Sequence, residues 1–182
     1  MQMEPQKVAK QGETVWIIDP KHTTIEFSIR NFFFFTVTGR FTDVTGTAVR
    51  DDSDISRSSV EAAVLAASID TGNKRRDDHL RSKDFLDAER YPDIRFQSAS
   101  VERGRDRDTF RIPGTLTIRG KSREVVLNVT EVDHSHSPHG EEVAYYGAMI
   151  EIDRFDFGIN YRRLPVGRKV KISVYVQAVK QS

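Results

Sequence analysis

The chain has 182 residues, of which 37% are hydrophobic and 30% charged, with a formal net charge of +1 and no cysteine. This is a globular mixture long enough for one sizeable core, which excludes a disordered chain. The near-zero charge excludes a global field recruiting nucleic acid or an anionic membrane, the missing cysteines exclude disulfides and thiolate metal sites, and no window approaches the ~20 apolar residues of a membrane-spanning helix.

Residues 1–13 are polar, carrying Glu4, Lys7, Lys10 and Glu13, without the apolar core or cleavage site of a secretory leader. They predict an N-terminal extension ahead of a domain over residues 14–180, and a cytoplasmic protein. A periplasmic protein with a replaced start would read the same way.

Beyond the extension, apolar and polar residues alternate with a period of two in segments of strand length. Ile25, Phe27 and Ile29 alternate with Glu26, Ser28 and Arg30. The run Phe32-Phe33-Phe34-Phe35 follows, and four consecutive aromatics cannot all face one side of a strand. They are read as lining the mouth of a channel, or as a contact for a second copy of the chain or for a membrane, against the plainer reading of ordinary packing.

Thr38 to Val49 carries Phe41 and Val44, with Gly39 and Gly46 suited to bends. Val60 to Ile69 is alanine-rich and apolar on both faces. Its bracketing by Ser58-Ser59 and Asp70-Thr71-Gly72-Asn73 favours strand over helix. Lys74 to Phe85 has helical potential, with Asn73 as N-cap and Asp77 paired to Arg81. Further strands hold Ile94 and Phe96; Phe110, Ile112, Leu116 and Ile118; Val125, Leu127 and Val129; Tyr145 to Ile152; and Val170, Ile172, Val174 and Val176. A hairpin turn is expected over Arg119-Gly120-Lys121-Ser122.

About eight antiparallel strands predict an all-β closed barrel with one or two short helices, wide enough to hold one small ligand. Small residues among the strands (Ala62, Ala63, Ala66, Ala67, Gly114, Gly147, Ala148) leave room for an apolar guest. Inward positions would be Phe27, Ile29, Phe41, Phe96, Leu116, Ile118, Leu127, Ile172 and Val174.

The chain resembles the YceI family of lipid-binding proteins over about Trp16 to Val179. The resemblance is carried by Trp16-Ile17-Ile18-Asp19-Pro20-Lys21-His22-Thr23, Thr38-Gly39-Arg40-Phe41, Ser68-Ile69-Asp70-Thr71-Gly72 and Arg76-Asp77-Asp78-His79-Leu80-Arg81-Ser82. It continues through Asp84-Phe85-Leu86-Asp87, Tyr91-Pro92-Asp93-Ile94-Arg95-Phe96, Gly114 to Gly120 and Arg154-Phe155-Asp156-Phe157-Gly158. The resemblance implies a lipocalin-like antiparallel barrel that binds polyisoprenoid chains, isoprenoid quinones or other long amphiphiles. It supplies no catalytic nucleophile. After the first strand the family often carries a histidine, where this chain has Asn31.

The expected function is therefore binding of a long apolar lipid, a polyisoprenoid, isoprenoid quinone or fatty-acid derivative, for carriage, storage or sensing. The ligand set adds His22, Phe32, Phe34 and Phe85 to the inward positions, with no catalytic residue, no metal and no cofactor beyond the lipid. No nucleic-acid partner is expected, because Asp77 and Asp78 cancel the Lys74-Arg75-Arg76 run and no basic groove interleaves with aromatics. Rival readings are an enzyme with His22 as general base and an interaction module built on Phe32 to Phe35. His134, His136 and His139 have spacings compatible with a transition metal but sit in a loop rich in Ser, Pro and Gly. Arg154, Asp156 and Gly158 read as a barrel corner, with Asp156 accepting hydrogen bonds and Gly158 at positive φ.

Overall fold

The computed structural model describes residues 10–31, 34–163 and 165–182, so Phe32 and Phe33 lie outside the described residues. Because apolar side chains recur at every second position, each strand has one face that must leave water, and the sheet satisfies all of them by curling shut. The result is an antiparallel eight-stranded closed barrel with one α-helix.

Three of its eight staves are each made of two strands. The first combines β1 (Glu13–Ile18) and β2 (Thr24–Asn31), the second β3 (Phe35–Phe41) and β4 (Val44–Asp51), the third β5 (Ser59–Leu65) and β6 (Ile69–Asp70). The remainder are β7 (Asp93–Ser98), β9 (Thr109–Ile118), β10 (Lys121–His136), β11 (Glu142–Asp153) and β12 (Val166–Lys180), while β8 (Glu102–Arg103) folds back on β9. Consecutive staves pair, and β12 closes the ring on both halves of the first stave, Trp16 opposite Lys180 and Thr24 opposite Tyr175.

The two-part staves bend at one level. A 3-10 turn at Pro20–His22, capped by the Asp19 side chain, separates β1 from β2. Beside it, Ser68 Oγ accepts from the amides of Thr42 and Asp43 and donates to Leu65 O, tying the break in the second stave to the Ala66–Ser68 turn in the third. Val60 to Ile69, expected as one strand, is therefore strand, turn and strand. The first strand, β1, starts at Glu13.

One end, here called upper, carries the tip between β2 and β3, the segment 71–92 with α1 (Lys74–Arg81), the β9–β10 turn and the 154–165 loop. Asn73 Oδ1 accepts from Arg76 N, as the cap expectation required. Asp77 does not pair with Arg81. It is buried and accepts from Thr71 N and Oγ1, whereas Arg81 Nη1 reaches Asp78 at 3.1 Å and its other nitrogens donate to Ala67 O and Ile69 O. The β9–β10 turn is a two-residue hairpin with both Arg119 (φ 50) and Gly120 (φ 68) left-handed, the geometry that matches strand twist.

Gly114 faces inward, and a Cβ there would sit 2.5 Å from Gln97 O and 2.6 Å from the Phe96 ring. The carbonyl belongs to the paired strand β7 and has little freedom to withdraw. Gly114→Val should cost about 1–3 kcal/mol through overpacking, read as a lowered midpoint in thermal unfolding by circular dichroism. An unchanged melt would mean that Phe96 and its strand yield freely.

Candidate ligand-binding channel

The inward faces enclose two chambers stacked along the barrel axis, of about 190 Å³ in the lower half and about 260 Å³ in the upper half. Ile25, Ala62, Leu127 and Val174 border both, so the two chambers adjoin along the axis. Small inward residues create the space: Ala48, Ala62 and Ala148 border it directly, and Gly39 and Gly114 admit the rings of Phe27 and Phe96. Ala63, Ala66, Ala67 and Gly147, expected to contribute, are not among its lining residues.

Ten sequence-predicted ligand residues converge on the upper chamber: Phe27, Ile29, Phe41, Phe85, Phe96, Leu116, Ile118, Leu127, Ile172 and Val174. His22 does not join them. It lies on the outer surface, its side chain 63% exposed and its Nδ1 2.7 Å from Asp19 Oδ2, and the 3-10 turn that bends the first stave turns it away from the lumen. Phe34 is 91% exposed at the hairpin tip and lines neither chamber, and Phe32 lies outside the described residues. Asn31, where the family resemblance breaks, pairs with Phe35 and Val166, and its Oδ1 is buried without a hydrogen-bond partner among the described residues.

The sequence reading missed the lower chamber, walled by Trp16, Ile18, Val44, Ala48, Phe110, Tyr146 and Ala178 among others. The signal was available. The parity that puts Leu116 and Ile118 inside also puts Phe110 and Ile112 there, and that of Ile172 and Val174 extends to Val176 and Ala178. The lid residues Leu80, Leu86 and Ile159 carry no such period, because they come from a helix, a turn and a loop.

The few polar groups in the wall are engaged. Arg154, 4% exposed, donates from Nε to Gly167 O, from Nη1 to Ile159 O and from Nη2 to Tyr161 O and Val166 O, so its charge is spent on holding the 154–166 loop across the upper end. Burial lowers its pKa from the usual arginine value. Asp153, rather than the expected Asp156, caps this corner by accepting from Phe155 N and pairing with Arg168 at 2.6 Å, while Gly158 does take positive φ. In the lower chamber, burial, reinforced by the Glu131 charge, pushes the Tyr146 phenol up to about 12. Arg50 Nε lies 3.1 Å from Asp52 Oδ1, a charge contact without hydrogen-bond alignment.

His79 and His134 are also committed. His79 pairs with Asp84 at 3.0 Å and packs edge-on against Phe85 and Tyr161 in the lid. His134 is held between Glu131 and Glu142, and among the described residues no three ligating side chains converge as a metal site.

The YceI-like domain pattern matches residues 16–178. The chain belongs to the YceI-like family. A UPF0312 protein of Shewanella denitrificans is 32% identical over 168 residues, 91% of this chain and 87% of that protein. Among solved structures, the Campylobacter jejuni YceI protein superposes with a TM-score of 0.74 at 26% identity, covering 85% of this chain and 91% of that one. A polyisoprenoid-binding domain from Saccharophagus degradans superposes with a TM-score of 0.70 at 13% identity over 91% of this chain and 98% of its own, a likeness of fold.

The lower end is closed by residues 52–58, which bring Ile55 over the chamber. Asp51 fastens this cover: Oδ1 accepts from Ser53 Oγ at 2.6 Å and from the amides of Ser53 and Asp54, and Oδ2 pairs with Arg57 at 2.8 Å. Chiefly the Ser53 hydroxyl, then the Asp54 amide and Arg57, hold its carboxyl well below the usual range. A depressed carboxylate stabilises the fold above its unfolded value of about 3.9, and that contribution is lost as pH falls below it. Amide-exchange protection at Ser53 and Asp54 should therefore fall on acidification below about pH 4 and be missing in Asp51→Asn at neutral pH. Protection that survives both changes would show that the cover is held by other contacts.

Proposed function

We propose that this chain is a lipid-binding barrel that takes the apolar tail of a long-chain lipid, a polyisoprenoid or isoprenoid quinone, lengthwise into its channel for carriage, storage or sensing. The observation carrying this reading is the stacking of two dry chambers that share wall residues along the barrel axis. On β12 the lining runs from Val166 to Ala178, which at strand rise and barrel tilt corresponds to about 30 Å along the axis. Binding of polyisoprenoid by the Saccharophagus domain of like fold supports the same class of ligand.

The driving force is removal of tail surface from water, about 0.8 kcal/mol per buried CH₂ before ordering costs. Such a wall reads length and apolarity, since its polar groups already have partners. An enzymatic reading finds little support. A general base must reach its substrate, and His22, its proposed carrier, stands outside the channel beside Asp19.

Native mass spectrometry of gently purified protein should show a co-purifying lipid, and its extraction should lower the thermal midpoint by mass action. Protein that purifies empty and fails to take up isoprenoids would overturn the proposal. Ala62→Phe and Ala148→Phe, each placing a ring in the channel, should cut uptake of long tails roughly tenfold or more, each buried CH₂ forgone costing about fourfold in affinity. Undiminished uptake in folded variants would place the ligand elsewhere.

A further inference from the structure

The net charge of +1 conceals a separation of charge along the barrel. At the upper end, residues 157–170 contain Arg162, Arg163, Arg168 and Lys169 and no acid, and residues 30–40 contain Arg30 and Arg40 and no acid. The two segments are neighbours: Asn31 pairs with Val166, and Gly167 lies against the Arg30 carbonyl. Arg40 and Arg168 are paired to Asp70 and Asp153. Arg30, Arg162, Arg163 and Lys169 are exposed and make no ion pair among the described residues. The lower end is acidic, with Asp51, Asp52 and Asp54 in one loop and Glu131, Asp133, Glu141 and Glu142 around another.

Within the basic end stand exposed aromatics. Phe34 is 91% and Phe35 69% exposed at the tip of the β2–β3 hairpin. Behind them Arg162 and Arg168 stack on the Phe155 ring at 5.0 and 4.5 Å, which holds those cations close to the tip's neighbouring loop. From Phe35 to Gly39, β3 pairs only with β2 among the described residues, so the tip projects beyond the closed ring. Ile29 and Val166, at the root of the tip, line the upper chamber.

We infer that this end is a docking surface for an anionic phospholipid bilayer, with Phe34 and Phe35 entering the headgroup boundary and the arginines resting on phosphates. Insertion removes two phenyl rings from water, and each cation near an anionic surface adds to the attraction. The acidic end is repelled, so the charge axis turns the channel mouth toward the membrane before contact. A second copy docking by the same face would bring two sets of arginines together. Single-stranded nucleic acid would need a groove that tracks its backbone, whereas these aromatics crown a protrusion. The inference gives the proposed tail binding its route of loading, but docking and uptake are separately measurable.

The test is co-sedimentation of the full chain with vesicles of phosphatidylcholine alone and of phosphatidylcholine mixed with phosphatidylglycerol, at low and high salt. Binding should need the anionic lipid and weaken in salt. Arg162→Glu with Arg163→Glu, and separately Phe34→Ser with Phe35→Ser, should each reduce it about tenfold or more, with the melt of lipid-extracted protein unchanged. Arg105→Glu with Arg107→Glu makes the same change of net charge at the opposite end and should leave binding intact. In Phe34→Trp, the new indole should shift its emission to the blue on adding anionic vesicles, against the constant background of buried Trp16. Equal binding to neutral vesicles, an equal loss in the Arg105/Arg107 variant, a dimer abolished by the phenylalanine variants, or tighter binding to an oligonucleotide would each overturn the inference. A barrel that docks but takes up no isoprenoid would leave it standing and fail the tail-binding reading alone.

Discussion

Closing eight staves fixes a lumen whose width is set by strand number and tilt, not by the side chains that happen to face it. Here several of those side chains are methyl groups or hydrogens, at Ala48, Ala62, Ala148, Gly39 and Gly114. The sheet cannot shrink to meet them without breaking the ladder that joins β12 to β1 and β2. At about 24 cal/mol per Å³ of unfilled volume, chambers of about 190 and 260 Å³ forgo roughly 5 and 6 kcal/mol of packing. That is comparable with the whole stability of an ordinary domain. Water does not recover the loss, because an apolar wall gives it no partners. An apolar guest does.

The two ends solve different problems. Below, a carboxylate gathers the 52–58 cover by accepting from its amides and hydroxyl. Above, arginines join lid and frame through main-chain carbonyls: Arg119 donates to Lys83 O and Gly158 O, Arg81 to Ala67 O and Ile69 O, and Arg154 to four more. A buried guanidinium is expensive unless it is hydrogen-bonded. Every nitrogen of Arg154 meets a main-chain oxygen, and the residue so dictates the path of a loop that has no period of its own.

What the sequence disclosed follows from what kind of physics each feature obeys. Parity along a strand is local, so Phe27, Phe96, Leu116 and Ile172 could be placed in the lumen by counting, and the same count continued would have reached Phe110 and Ala178. The Asn73 cap and the Arg119-Gly120 turn are local too. His22 was misplaced because the first stave breaks at Asp19, and the reason for that break lies in partners 154 to 158 residues away, such as the Gln177 carbonyl that receives the Asp19 amide. Asp77 was misassigned for a like reason. Helical spacing offered Arg81, but the Thr71 amide and hydroxyl ahead of the helix compete better for a carboxylate facing inward.

The polar fasteners of the upper end are not evenly spread. Arg81, Arg119 and Arg154 tie α1, the 82–92 turn and the 154–166 loop to the frame, while among the described residues β3 above Gly39 pairs only with β2, and Gly39 lies close to the methyl group of Thr71 ahead of α1. Among the described residues, parting the lid from β3 above Gly39 therefore breaks apolar contacts. Parting it at the 154–166 loop strips the buried Arg154 guanidinium of main-chain carbonyls, a loss that apolar contact does not repair. The weakest seam of the upper end therefore runs between the β2–β3 hairpin and the lid, on the flank where Phe34 and Phe35 project.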